Sequence, residues 1–218
     1  MIPSRKTLAR ALILAVAPLF LAACGVNAIP TKEETARAQW AEVQNQYQRR
    51  ADLIPNLVET VKGFAAQERT VLTEVTEARA SATQVRVDAS TLTDPAKFQQ
   101  YAAAQDRLSG VLGRLMMIQE RYPDLKSNQN FLALQSQLEG TENRIAIARR
   151  DYNEAVRSYN LEFKTFPNSF WTVVHRNSQP MQMFAASDAA QTAPSVSFSP
   201  AAPSPPAAAA PPAPAPAP

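Results

Sequence analysis

At 218 residues and 45% apolar content the chain is long enough to bury one core, and its formal charge of +3 invites a nucleic-acid reading. The position of the charge removes that reading: residues 1–23 hold Arg5, Lys6 and Arg10 and no acid, so without them 19 basic residues face 19 acidic ones, and no nucleic acid is expected as a partner. One cysteine excludes an internal disulfide, and only 5 glycines interrupt stretches rich in Ala, Leu, Gln, Glu and Arg, which implies an all-α body rather than a sandwich or an α/β fold.

The first 23 residues have the form of an export signal: basic Arg5, Lys6 and Arg10, then an apolar run from Leu8 to Ala23 broken by Pro18. That run falls short of the roughly 20 residues a membrane-spanning helix needs. It closes on Leu21-Ala22-Ala23-Cys24, which resembles the lipobox of bacterial lipoproteins. The resemblance implies cleavage after Ala23, diacylglycerol on the Cys24 thiol and an acyl chain on the new amino terminus. The membrane lipid is then the first partner, and burial of acyl chains at about 0.8 kcal/mol per CH₂ makes the tether durable. Gly25 after the cysteine favours an outer-membrane, periplasm-facing address over an inner-membrane one, by the same resemblance.

After a linker at 24–30, Thr31-Lys32-Glu33-Glu34 has the capping-box form and predicts a helix from about residue 32. From there a seven-residue pattern runs through Trp40, Tyr47, Ile54, Val61, Glu68 and Val75, with Val43, Arg50, Leu57, Phe64, Val71 and Ala78 beside it. This predicts one first helix of about 75 Å, kinked at Pro55. Thr93-Asp94-Pro95 supplies a cap and a helix-starting proline for a second helix, with Phe98, Tyr101, Leu108, Val111, Leu112, Leu115 and Ile118 as its apolar stripe. Gly110 and Gly113 inside it imply close approach of a neighbouring helix. A third helix at roughly 128–165 carries Phe131, Leu138, Ile145, Tyr152, Tyr159 and Phe166 at steps of seven, and Pro167 ends it.

Segment 168–186, with Phe170, Trp171, Val173, Val174, Met181, Met183 and Phe184, is apolar enough to pack back on the bundle as a short fourth helix. The remainder, 187–218, is rich in Pro and Ala and buries nothing, so it is expected to be a disordered or polyproline-like tail. Three alternating helices would send this tail away from the bundle end opposite Cys24.

Three stretches then carry a family resemblance: Asn45-Gln46-Tyr47-Gln48-Arg49-Arg50-Ala51-Asp52-Leu53-Ile54-Pro55-Asn56-Leu57-Val58, Tyr122-Pro123-Asp124-Leu125-Lys126, and Leu138-Glu139-Gly140-Thr141-Glu142-Asn143-Arg144-Ile145-Ala146-Ile147-Ala148-Arg149-Arg150-Asp151-Tyr152-Asn153. Together they resemble the signature of the LemA family over about residues 31–186. The resemblance implies a membrane-anchored antiparallel helical bundle without an established enzymatic activity. It also implies an envelope or membrane protein as partner, a TPM-domain protein among the choices. The lipobox departs from the uncleaved membrane helix common in that family, and the Pro/Ala tail is an addition to it.

The charged motif residues admit two readings. Arg50, Glu68, Glu142 and Arg149 fall at apolar-stripe positions and can form an inter-helix charge layer that fixes register. Alternatively Arg49, Arg50, Asp52, Asn56, Glu142, Asn143, Arg149, Arg150 and Asp151 contribute a polar docking face for a partner protein. Glu139 and Glu142 lack the paired histidines of carboxylate metal sites in bundles, and the one histidine, His175, lies beyond the three helices, so no metal, other cofactor or catalytic residue is expected. Against this interaction module stands a carrier or enzyme that binds a small apolar ligand in a gap lined by Gly110, Gly113, Met116 and Met117. Heptad positions left exposed are compatible with self-association.

Overall fold

The computed structural model describes residues 27–85, 88, 90–166 and 178–185. The signal, Cys24, residues 170–174 and the Pro/Ala tail therefore lie outside the described residues. The chain divides into two units, Met1–Phe184 and Ala185–Pro218, and the helices and their core belong to the first.

Among the described residues there are five α-helices and no strand: α1 (Ala28–Phe64), α2 (Arg69–Gln84), α3 (Pro95–Ile118), the short α4 (Pro123–Lys126) and α5 (Gln129–Glu162). None is long and apolar enough to cross a membrane. The all-α antiparallel bundle is as the composition implies, but the number of long helices is four, because the expected 75 Å first helix breaks at Ala65–Glu68 and reverses. Arg79 of α2 reaches back to the carbonyl of Ala51, and Arg121 and Tyr122, just after α3, bond Glu68 in the turn itself. The seven-residue pattern continues across this turn because Leu72, Val75 and Ala78 face the same core as Ile54, Leu57 and Val61, only from the other side. Glu68 is thus a turn residue, not a member of a helical stripe.

The start of α1 lies four residues before the expected position. Its cap is Asn27, and Thr31 sits inside the helix, its amide donating to the Asn27 carbonyl. Two residues explain the extension: Ile29 is fully buried, and Pro30 lies in the first turn, where its missing N–H would have had no helical acceptor. Helix α3 starts as its sequence predicts, with the Asp94 carboxylate accepting from the amides of Ala96 and Lys97 and Pro95 at the first helical position. The loop before it is pinned by Asp88, whose carboxylate accepts from Ser90 and Thr91, and those hydrogen bonds lower its pKa to about 2. Asn128 caps α5 by accepting from Phe131.

Pro55 does not stop α1. A proline removes the hydrogen bond to the carbonyl four residues earlier, here that of Ala51, and the Nε of Arg79 donates to this carbonyl at 2.8 Å. The antiparallel hairpin thus supplies from α2 the donor that the sequence of α1 withholds.

The core falls into two apolar clusters along the bundle axis. One, nearer the α1–α2 turn, joins Ile54, Leu57 and Val61 to Leu108, Leu112, Leu115, Phe131 and Leu138. The other, at the end where α1 begins, joins Ile29, Trp40, Val43 and Tyr47 to Phe98, Tyr101, Ile145, Tyr152, Tyr159, Met181 and Phe184. With four alternating helices the chain returns to the end where it started: Lys32 pairs with Glu162 and Phe184 stacks on Trp40. Met181 and Phe184, near the end of the first unit, therefore lie at the pole where α1 begins, and the tail that follows is outside the described residues. Residues 178–184 are an extended strap rather than a helix, held by Met181 and Phe184.

Gly110 and Gly113 do not serve close approach. Both are exposed, and a Cβ added at either would meet nothing within 4 Å. Met117 is 73% exposed and Met116 packs against the core, so the ligand gap expected around these four residues does not form.

Candidate functional site

The boundary between the two apolar clusters is a polar waist. Arg50 lies between Tyr47 and Ile54 on α1, Gln105 between Tyr101 and Leu108 on α3, and Glu142 between Leu138 and Ile145 on α5. Arg50 and Gln105 are buried and each replaces an apolar residue of its stripe, whereas on α5 the buried position is Thr141 and Glu142 beside it is partly exposed. Arg50 is 1% exposed. One of its terminal nitrogens donates to Glu142 Oε1 at 2.9 Å and to Ser109 Oγ at 2.6 Å; the other donates to Gln105 Oε1 at 2.6 Å and to the Gln105 carbonyl. Gln105 Nε2 donates in turn to the carbonyl of Ala82, one of the last carbonyls of α2 and without a helical partner of its own. One guanidinium thus links all four long helices. The planar fork of arginine, with its several donors, suits such a junction where lysine would not.

Beside this layer Arg149 pairs with Asp106 at 2.9 Å and lies over the Phe184 ring at 4.3 Å. Arg50 lies over the Tyr47 ring at 5.0 Å. The Tyr47 phenol is buried, and burial pushes its pKa up to about 12 against the opposing pull of Arg149 and Arg50. Its hydroxyl has no hydrogen-bond partner among the described residues. It lines a cavity of about 170 Å³ with Tyr101, Gln105, Gln44, Gln48 and Thr83. This cavity is polar and small, unlike the apolar gap expected from the sequence.

The structure therefore brings Arg50 and Glu142 together and sets Arg149 close by. It leaves Arg49, Asp52, Asn56, Asn143 and Arg150 exposed on α1 and α5. Asp52 accepts from Gln48, and Arg150 pairs with its neighbour Asp151, both of them local bonds on one helix. Glu68 is separate from the waist, accepting from Tyr122 and Arg121 at the α1–α2 turn. Cys24 lies outside the described residues.

A second constellation does not stand out in the sequence. On α5, Asn160 donates to the Met181 carbonyl and accepts from the Met181 amide, at 2.8 and 2.9 Å. Asn153 does the same for Phe184, at 2.9 Å each way. The Tyr159 hydroxyl donates to the Gln179 carbonyl and the Tyr152 hydroxyl to that of Gln182. A further main-chain bond among the described residues runs from the Gln182 amide to the Leu92 carbonyl. Phe184 enters a cage of Trp40, Phe98 and Tyr152 with ring centroids 4.9 to 5.9 Å away. The repeated dipeptides Tyr152-Asn153 and Tyr159-Asn160 are the sequence signal for this clamp. The seven-residue spacing of the tyrosines reads as core alone and hides the asparagines beside them.

An all-α bundle with four alternating long helices, a one-arginine waist and an extended strap defines a helical-bundle protein whose distinctive polar residues lie on α1, α3 and α5. A sequence model of the LemA family matches residues 39–198, and the chain belongs to that family. Among curated proteins it is similar to "Magnetosome protein MamQ 2" of Paramagnetospirillum magneticum, 26% identical over 157 residues, which is 65% of this chain and 58% of the relative. It is also similar to "Magnetosome protein MamQ" of Magnetospirillum gryphiswaldense, 24% identical over 164 residues, covering 68% of this chain and 60% of the relative. "Protein LemA" of Metamycoplasma hominis is 25% identical over 130 residues, covering 60% of this chain and 53% of the relative. The chain thus spans less than two thirds of the length of these relatives.

Proposed function

We propose that this LemA-family bundle is a non-enzymatic interaction module of the cell envelope, tethered by lipid on Cys24. The observation that carries the reading is the division of the motif's charged residues. Arg50 and Glu142 are used internally to hold four helices in register, while Arg49, Asp52, Asn56, Asn143 and Arg150 stand exposed on α1 and α5. Such an exposed polar set, carried on rigid helices, suits docking to a protein partner better than chemistry on a small molecule. A membrane protein of the envelope, of the TPM-domain type among others, is the partner class that the family relationship favours.

The tether is supported by the lipobox and by the start of α1. That helix begins at Ala28, four residues after Cys24, so a lipid there would hold the bundle by the end where the strap also lies. Two or three acyl chains give durable membrane attachment where one would not. Mass spectrometry of the mature amino terminus, with membrane fractionation of wild type and Cys24→Ser, tests this. Acylated Cys24 and release of the variant from the membrane are expected. An unmodified cysteine, or a variant that stays with the membrane, overturns the tether. For the docking face, crosslinking in intact cells should yield a product that Arg49→Glu and Arg150→Glu remove without loss of helicity. Crosslinks unchanged by both would remove that surface from the proposal.

A further inference from the structure

The two halves of the clamp repeat in step with what they hold. Tyr152-Asn153 and Tyr159-Asn160 are one dipeptide repeated seven positions apart on α5. Seven helical residues rise about 10.5 Å, and three residues of extended chain span about 10 Å. The bonds obey that arithmetic. Tyr159 takes the carbonyl of residue 179 and Asn160 takes both main-chain groups of residue 181; three residues on, Tyr152 takes the carbonyl of 182 and Asn153 both groups of 184. Each Tyr-Asn pair therefore bonds the main chain of the first and third of three consecutive strap residues. Only Met181 and Phe184 are buried as anchors, while Met183 between them is 48% exposed. The next heptad position toward the waist is Ile145-Ala146, which has no such side-chain donors, and among the described residues the last of these bonds is to Phe184.

Main-chain hydrogen bonds combined with pockets for a few side chains are how extended peptides are recognised from one chain by another. Here the ligand is the chain's own. The ends of the connection to it lie side by side: Lys32 pairs with Glu162, and the next residue, Glu33, accepts from Ser178. Sixteen peptide steps join Glu162 to Ser178, a reach of up to about 55 Å. The two ends contact adjacent residues of α1, a separation far below that reach.

We propose that the clamp is also an interaction surface for a second copy of this chain, whose residues 178–184 occupy it while its own clamp receives the first strap in return. The exchange repeats every bond of the closed monomer and adds none, the condition under which element swapping between identical protomers is cheap. The strap in its own clamp has the advantage of a local concentration on the order of millimolar, so exchanged pairs accumulate only where copies are crowded to that level. Such exchange needs neither the tether nor the docking face.

Two full-length variants test it. One carries Asn153→Ala and Asn160→Ala, which removes four of the clamp's six hydrogen bonds and leaves the strap. The other carries Met181→Ser and Phe184→Ser, which removes the anchors and leaves the clamp, with Trp171→Phe so that its emission reports on Trp40. Each alone should be a monomer by light scattering. Mixed at about 0.5 mM, they should form a 1:1 heterodimer, and Trp40 emission should return to its wild-type position as an incoming Phe184 restacks on it. No heterodimer and no change in Trp40, with helicity intact, overturns the proposal. If either variant loses helicity, the wild-type chain decides: a dimer fraction that rises toward about 1 mM and is removed by Phe184→Ser supports exchange, and a monomer throughout overturns it. Binding of a synthetic 178–184 peptide without heterodimer formation also overturns it, and assigns the clamp to a segment of another protein.

Discussion

At the waist one guanidinium, 1% exposed, is bonded by side chains of α3 and α5 in the middle of the bundle, whereas at the clamp four uncharged side chains of α5 hold the backbone of a strap. The waist joins elements that are already rigid helices, so its effect is on their register. The clamp orders a segment with no helical bonds of its own, so its effect is on whether that segment is docked at all. A charge buried among partners makes removal of a partner expensive, because the charge remains. A neutral clamp has no such remainder, and its failure stays local.

The largest expected effect comes from that asymmetry. Glu142→Ala leaves Arg50 charged and buried, and should cost about 3 kcal/mol, the lower end for a broken buried pair because Gln105 and Ser109 remain. Arg50→Met should cost clearly less, since the Glu142 side chain is 37% exposed and can turn to water while Met fills the space. Urea unfolding of the two variants checks the order. Equal losses, or a larger loss for Arg50→Met, would mean that the waist acts through packing rather than through charge.

Next comes the clamp. Truncating a buried Phe in a core costs about 3 to 5 kcal/mol, but Phe184→Ala cannot cost more than the docking free energy of the strap, because the strap can leave as a unit. The loss should therefore be smaller than for Glu142→Ala. Amide exchange at 181 and 184 should rise to the rate of a free peptide while the amides of α5 stay protected. Loss of protection along α5 as well would show that strap and bundle unfold together, and would dissolve the distinction between the two regions.

Alkaline pH sharpens the comparison further. Burial is the leading cause of the upward shifts at Tyr47 and Tyr159, each to about 12, and it also raises Tyr101, Tyr152 and Tyr122. A raised folded pKa contributes stability that is complete below the unfolded value near 10 and is lost as pH rises through about 12. Absorbance at about 295 nm should thus show phenolate near pH 10 in urea, with Tyr47 and Tyr159 ionising only around pH 12 in the native protein. Tyr152 and Tyr159 donate to the strap and cease to do so when ionised, so strap release should accompany or precede loss of helicity. Helix loss before strap release would reverse the assignment of the clamp as the weaker region.

Much of this architecture is legible in the sequence, with identifiable blind spots. The stripes of α3 and α5 and the Asp94-Pro95 start depend on local periodicity and capping, and they read directly. The α1–α2 reversal does not, because Ala65-Ala66-Gln67-Glu68 has no glycine or proline to mark a turn and the apolar positions keep their seven-residue phase through it. Pro55 draws attention as a breaker, yet its cost is offset by Arg79, a donor in the next helix that no local pattern reveals. At the candidate site, Arg50 and Glu142 stand out because they interrupt apolar stripes, and they meet. Asn153 and Asn160 do not stand out, since an asparagine next to a core tyrosine looks like an ordinary boundary residue until an extended segment lies across it.

The smallest predicted effect lies outside both regions. Gly110 and Gly113 are in the interior of α3, exposed, with open space where a Cβ would stand. Glycine in a helix interior is less favourable than alanine by about 1 kcal/mol, through the backbone freedom it retains when unfolded. Gly110→Ala and Gly113→Ala should each stabilise the protein by somewhat less than that, and additively, as neither fills nor crowds a contact. Gly140 in α5 is equally open, one residue from the buried Thr141, and should gain similarly. Gly63 stands one residue from the end of α1, where the helix already frays, and should gain least. Urea midpoints of the four single variants measure the series. A loss at Gly110 or Gly113 would mean that a partner or second copy approaches α3 closely there, on a face neither the waist nor the clamp uses.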